Sequence, residues 1–297
     1  MSAAASSRPS LLVVDVFAEK PYAGNQLAVV VGARADDWPA SRMQAFAREM
    51  NFSETTFASP TAVDGAFDVR IFTPSAELPF AGHPTLGTAW VLRHFFHASL
   101  PASVALRLGI GVVPVEFDET ESGELVRMRP RAPKLCETMD GPTLASHLGI
   151  DPSDIDPRHP CRRADIGIQF ALVPLRNLAS LRAAAPKTLP AGEPGTTLGV
   201  LAFCPETYEP GGDFAVRMFF EALGVREDPA TGSAAACLAA YLSAERWFGS
   251  DRVRARLQQG YQIGRPSCLY IGAERSGDST TVEVAGKVVL VARGEVS

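Results

Sequence analysis

The sequence predicts an α+β protein assembled from two similar domains. Three observations carry that expectation. The chain has 297 residues, and cores of roughly 100–200 residues are the usual unit, so about two fit. Many short strand-like segments are interrupted by a few well-separated helical ones, without regular βαβ alternation. Three segments then recur in the same order at nearly constant separation. Phe67-Asp68-Val69-Arg70-Ile71-Phe72 matches Phe214-Ala215-Val216-Arg217-Met218-Phe219 at four of six positions, 147 residues on. Gly24-Asn25-Gln26-Leu27-Ala28-Val29-Val30 matches Gly167-Ile168-Gln169-Phe170-Ala171-Leu172-Val173, 143 residues on. Gly82-His83 and Gly232-Ser233, 150 residues apart, each open a helix. An offset near half the chain length reads as a duplication.

Residues 11–17 and 26–31 read as strands around a Lys-Pro-Tyr-Ala-Gly turn, and residues 1–10 as a frayed tail. Residues 38–50 carry Met43, Phe46, Ala47 and Met50 at helical spacing. Asn51 to Phe57 reads as a loop feeding a strand, and residues 67–72 alternate as a strand. Pro74, Pro79 and Gly82 mark a long turn, after which residues 83–96 resume a helical pattern. Residues 118–133 are polar, with prolines and a glycine, and make the best linker candidate. Beyond them, 144–148 reads as a short helix, 167–173 and 214–219 as strands, and 233–248 as a strong Ala/Leu helix. Residues 253–257, 268–271, 280–285 and 287–291 are late strands. Domain bounds of 1–125 and 130–286 follow, with 287–297 a candidate return to the first domain.

Composition excludes several classes. There are 28 Lys and Arg against 33 Asp and Glu, for a net charge of −5. Such a chain lacks the basic field with which nucleic-acid binders release phosphate counterions. No apolar run approaches the roughly 20 residues of a membrane span, and the N-terminus lacks a secretory h-region. The five cysteines show no CxxC spacing, so neither a structural zinc site nor a disulfide framework is expected, and a cytoplasmic protein with mostly buried thiols is. His94, His97, His147 and His159 show no metal spacing and read as surface residues. Arg252, Arg254 and Arg256 share one strand face and read as solvated. Walker, Rossmann and Gly-x-Ser-x-Gly patterns are absent.

The chemistry concentrates at the two helix starts. In each half a Val-Arg-x-Phe strand leads through a turn into Gly and a helix. Pro84 suits a first helical position, which puts His83 at the cap, and Ser233 suits an N-cap. Helix N-termini offer free N–H groups and a positive dipole end, and Gly lets an anion approach the backbone. Two such ends across an interdomain cleft can hold a small carboxylate. Glu54, between Phe52 and Phe57, is the candidate proton carrier, since a desolvated carboxyl can exchange a proton near neutrality. His83 and Asp228 flank the helix starts and can relay protons or orient an amine or hydroxyl.

Several segments together resemble the PhzF family, the phenazine-biosynthesis isomerase-like proteins of the diaminopimelate epimerase superfamily. They are Val14-Asp15-Val16-Phe17 with Gly24 to Val29, Asn51 to Phe57, and Phe72-Thr73-Pro74 with Glu77 to Gly87. Glu227-Asp228-Pro229-Ala230-Thr231-Gly232-Ser233-Ala234 and Gln259-Gly260 with Gly264-Arg265-Pro266-Ser267 complete the set. The resemblance implies two pseudo-symmetric epimerase-like domains, each a β-barrel-like sheet around a central helix, with the active site between them. It implies an isomerase that works without metal or organic cofactor, as a homodimer, on a small carboxylic acid. In the family a glutamate shuttles a proton between carbons, moving a double bond in a hydroxylated cyclohexadiene amino acid. The family's catalytic glutamate falls on Glu54, its histidine on His83, and its aspartate and serine on Asp228 and Ser233. The backbone amides at Gly82-His83 and Gly232-Ser233 would take the substrate carboxylate. Epimerase relatives carry a cysteine at both helix starts; here His83 and Ser233 stand there, and the nearest thiol is Cys237. One-base transfer by Glu54 therefore fits better than two-thiol racemisation. A lyase or C–C hydrolase on the same scaffold, and a non-catalytic small-acid binding protein, are the alternatives.

Overall fold

The computed structural model describes residues 8–32, 38–61, 66–186, 198–220, 225–277 and 279–297. The expected tail lies largely outside them, in residues 1–7. In chain order the elements are β1 (Ser10–Val16), β2 (Asn25–Val31), α1 (Ala40–Met50), β3 (Glu54–Pro60), β4 (Ala66–Phe72), β5 (Glu77–Leu78) and α2 (Gly82–Phe95). Next come β6 (Ser103–Leu108), β7 (Gly111–Thr120), β8 (Gly123–Met128), β9 (Lys134–Thr138), α3 (Gly141–Leu148), β10 (Arg162–Asp165) and β11 (Gln169–Pro174). They are followed by α4 (Leu178–Ala183), β12 (Leu198–Cys204), β13 (Phe214–Phe220), β14 (Val225–Asp228) and α5 (Gly232–Ala244). The chain ends with β15 (Val253–Gln259), β16 (Ser267–Ser276), β17 (Ser279–Gly286) and β18 (Val288–Glu295).

Two compact units result: Met1–Met128 with Lys287–Ser297, and Arg129–Gly286. In the first, β18, β1 and β2 pair antiparallel in that order. β2 then pairs parallel with β3, β3 antiparallel with β4, β4 parallel with β6, and β6–β7–β8 form a meander. The second unit repeats this list strand for strand. β9, β10 and β11 pair antiparallel, β11 parallel with β12, β12 antiparallel with β13, β13 parallel with β15, and β15–β16–β17 form the meander. The short β5 and β14 hang antiparallel on β4 and β13. The duplication inferred from three short matches is thus a duplication of topology.

A single helix fills each curved sheet. α2 packs on β1, β2, β3, β6, β7, β8 and β18, and α5 on β9, β11, β15, β16 and β17. Both helices are buried around nearly their whole circumference, which their Ala, Leu, Gly and Thr content permits. A Cβ on Gly87 would lie 2.7 Å from both Leu27 and Val16, so α2 rests directly on the strands. The outer faces are covered as well. Trp38, Met43 and Ala47 join Phe57 and Phe72 in the first unit, and Leu144, Leu148 and Leu181 cover Val173, Val200 and Phe219 in the second. With both faces covered, β11, β12 and β13 are buried along their length and read as continuous apolar runs.

Several expectations are corrected here. The polar stretch 118–133 is mostly the β7–β8 hairpin. Val115, Phe117, Val126 and Met128 turn inward while the polar residues between them face out, so alternation was concealed by the prolines that follow. Both central helices begin earlier than expected, at Gly82 and Gly232, with Ala81 and Thr231 at the N-cap positions. His83 and Ser233 are therefore inside the first turn rather than capping it. Pro84 is tolerated there because first-turn N–H groups have no intrahelical partner in any case. α5 ends at Ala244, and Arg246 adopts a left-handed backbone. His94 is half-buried and bonds Glu124 at 2.9 Å, although no acidic residue adjoins it in sequence. His159 stacks on Trp247 at 3.8 Å. Arg252 and Arg254 are exposed as expected, whereas Arg256 lies over the Tyr270 ring. Of the weakly patterned 174–194 segment, α4 is described and 187–194 lies outside the described residues.

Candidate active site

Glu54 is the first residue of β3, paired in parallel register with Leu27 of β2. Strand alternation places Glu54 and Thr56 on one face. Thr56 shares a 2.8 Å hydrogen bond with Thr88 of α2, so that face looks onto the central helix. The Glu54 side chain, 13% exposed, accordingly reaches the first turn of α2, where its Oε2 lies 3.5 Å from Nε2 of His83. Of the two phenylalanines invoked from sequence, Phe57 does not make this environment. Phe57 points to the opposite face, into the cluster with Trp38 and Phe72, because it is three residues along the strand. The carboxyl approaches the first turn of α2 instead.

His83 is the more perturbed partner. Its ring is buried, and burial lowers its pKa to about 3, opposed in part by a hydrogen bond to the Gln26 backbone. Nε2 makes no hydrogen bond, so this bond belongs to Nδ1, which must donate to the Gln26 carbonyl. The ring is therefore neutral at ordinary pH, with the proton on Nδ1 and a lone pair on Nε2 turned toward Glu54. Gly82 is buried immediately before it, and no side chain caps the helix.

In the second unit Asp228 ends β14, half-buried. Thr231 Oγ1 donates to its Oδ2. Gln259, 1% exposed at the end of β15, donates through Nε2 to the Asp228 carbonyl at 2.8 Å and to Thr231 Oγ1 at 3.2 Å. Its Oε1 accepts from the Thr231 backbone N–H at 3.3 Å. Gly232 is buried and Ser233 half-buried, in the first turn of α5, which likewise has no side-chain cap. The expected residues thus fall into two groups: Glu54, Gly82 and His83 in the first unit, and Asp228, Gly232 and Ser233 in the second. Sequence reasoning assigned no role to Gln26, Thr231 or Gln259. For Gln259 a signal existed, a glutamine before glycine at a strand end within the resembling segments. Gln26 acts through its carbonyl, which side-chain identity does not announce.

Cys237 is buried one turn into α5, where desolvation pushes its thiol well up, so it is not a ready thiolate base. Among the described residues no three His, Cys, Asp or Glu side chains are grouped as metal ligands. No helix among them is long and apolar enough to cross a membrane.

A duplicated sheet around a buried helix, with polar groups at each helix start, is the diaminopimelate epimerase type of fold. A hydroxyproline epimerase from Agrobacterium vitis shares the fold at a TM-score of 0.58 and 13% identity, covering 98% of this chain and 93% of that one. The chain belongs to the PhzC–PhzF family, whose model, described as phenazine biosynthesis-like protein, matches residues 14–294. The trans-2,3-dihydro-3-hydroxyanthranilate isomerase of Pseudomonas aeruginosa is 36% identical over 287 residues, covering 95% of this chain and 97% of that protein. A crystal structure of a PhzF-family phenazine biosynthesis protein from Bacillus anthracis superposes with a TM-score of 0.88 at 26% identity, covering 98% and 99% of the two chains.

Proposed function

We propose that this isomerase moves a proton within a small amino or hydroxy carboxylic acid, with Glu54 as the single acid–base group. The observation that carries the reading is the 3.5 Å approach of Glu54 Oε2 to Nε2 of a buried, neutral His83. Glu54 takes a proton from a carbon next to an unsaturated system and returns it to another carbon, with the double bond shifting between. The oxidation state of the substrate is unchanged, so the step calls for no external oxidant or reductant. Because His83 donates through Nδ1 to Gln26, its Nε2 can only accept, and it suits a substrate O–H or N–H. Asp228 is the second acceptor for such a group. First-turn amides at Gly82-His83 and Gly232-Ser233 hold the carboxylate and stabilise charge as it develops.

These features call for a substrate with a carboxylate, a hydroxyl or amine, and a C–H made acidic by conjugation. The substrate named for the P. aeruginosa relative, trans-2,3-dihydro-3-hydroxyanthranilate, meets all three. The test is turnover of that compound in heavy water, followed by mass spectrometry and NMR. The expected product has the substrate's composition, apart from solvent deuterium at the carbon that receives the proton. Glu54→Gln should lower kcat by about 10²–10⁴. Fragments of lower mass would point to a lyase or hydrolase instead, and binding with neither exchange nor turnover to a non-catalytic protein. Unimpaired turnover by Glu54→Gln would overturn the assignment of the base.

A further inference from the structure

The duplicated ladders give residue-by-residue equivalents, and these separate what builds the helix-start turn from what equips it. Ile71 and Met218 are equivalent in the repeat. Leu78 pairs with the first and Asp228 with the second, so Leu78 stands where Asp228 does. Phe67 pairs with Leu106, and its equivalent Phe214 pairs with Leu257. Leu108 is therefore the counterpart of Gln259, and Gly109 of Gly260. Ala81 and Thr231 occupy the N-cap positions of α2 and α5. In both units the glycine after the strand packs closely on the proline of the turn, although Gly260 adopts a left-handed backbone and Gly109 does not. A Cβ on Gly109 would lie 2.9 Å from Pro79, and one on Gly260 would lie 2.7 Å from the Pro229 carbonyl. Leu78, Ala81 and Leu108 thus stand in the corresponding turn of the first unit, with side chains that cannot make the hydrogen bonds of Asp228, Thr231 and Gln259.

We propose that Thr231 and Gln259 are positioning residues that set the Asp228 carboxylate for substrate, a role that rests on the reading of Asp228 given above. The direction of the chain is forced by chemistry. The Gln259 amide nitrogen can only donate, and it does so to the Asp228 carbonyl and to Thr231 Oγ1. Thr231 Oγ1, its acceptor capacity engaged there, turns its own proton to Asp228 Oδ2. The amide cannot be flipped, because its oxygen faces the Thr231 N–H. Burial of Gln259 keeps water from substituting for its own amide contacts.

The test uses three variants of the full chain. Thr231→Val keeps the shape and removes the hydroxyl, Thr231→Ser restores it, and Gln259→Glu exchanges the donor for an acceptor. In crystal structures, Thr231→Val should leave the turn backbone in place while the Asp228 carboxylate leaves its rotamer; a carboxylate that stays put overturns the proposal. With trans-2,3-dihydro-3-hydroxyanthranilate, Thr231→Val and Gln259→Glu should lower kcat roughly 10–100-fold with KM little changed, and Thr231→Ser should recover to within about threefold of the native rate. Undiminished kcat in Thr231→Val also overturns it. A native chain that leaves this compound untouched counts against the isomerase reading and not against the positioning, which the carboxylate's place in the Thr231→Val structure then decides.

Discussion

At the scale of the residue, the candidate site holds a buried imidazole whose pKa is lowered. Desolvation holds His83 near pKa 3, against an ordinary value near 6.5 in the unfolded chain. Between those values the unfolded ring binds a proton that the folded ring does not. Stability therefore rises with pH across that window and is lost as pH falls through it, at up to about 1.4 kcal/mol per pH unit from this group. His83→Gln removes the titration, so its urea-unfolding free energy should fall less steeply than the native protein's between about pH 6 and pH 4. The His83 ring resonances should stay flat from pH 5 to 8.5, and an NMR midpoint near 6.5 would contradict the buried, neutral ring. Glu54 was legible in the sequence and its surroundings were not. Phe57 is near it in the chain yet serves the opposite face, whereas His83 reaches it from 29 residues ahead and its strand partner Leu27 lies 27 behind.

At the scale of the element, the two central helices are anchored at their C-terminal ends by corresponding contacts made with different chemistry. In α2, Arg93 donates to the Pro101 carbonyl at 2.8 Å, pairs with Glu124 of β8 and lies over the Phe117 ring. In α5, Ser243 donates to the Asp251 carbonyl at 2.5 Å. Residues 93 and 101 correspond to 243 and 251 by the same offset of 150 that relates the helix starts. Glu124→Ala should cost about 3–5 kcal/mol, because it leaves a buried guanidinium without its counter-charge, as measured by urea unfolding. The reverse asymmetry appears at the site. Thr55 pairs with Phe72 and Val200 with Phe219, which makes Gly199 the counterpart of Glu54. A Cβ on Gly199 would meet Met218 and lie 2.7 Å from Phe220. Gly199→Ala should therefore destabilise by roughly 1–3 kcal/mol through overpacking, and a neutral or stabilising result in the same assay would show that Met218 yields freely. A carboxylate has room in one repeat only.

At the scale of the whole molecule, the first unit is closed by the last strand of the chain. β18 pairs with β1 from Ser10 to Val16 and contacts α2. A chain ending at Gly286 would expose the β1 edge and part of the central helix. We expect such a truncation to lose native near-UV circular dichroism and to aggregate on expression; a soluble, natively dispersed truncation would show that β18 is dispensable. This closure depends on contacts some 280 residues apart in the chain, and sequence reasoning reached it only as a candidate return.

What the amino-acid sequence determined by itself was local or periodic: the duplicated Val-Arg-x-Phe strands, the glycine at each helix start, the all-round apolar α5, and Glu54, His83 and Asp228 as chemically apt residues. Such features survive as short-range patterns because strand alternation, helix period and turn chemistry act over a few residues. The tertiary structure alone decided which face Glu54 shares, that a carbonyl from β2 sets the His83 tautomer, and that Gln259 and Thr231 stand over Asp228. It also turned an apparent linker into a hairpin. Each of these is a contact between residues distant in the chain, where burial and hydrogen-bond geometry depend on which strands become neighbours, and no spacing along the sequence encodes that.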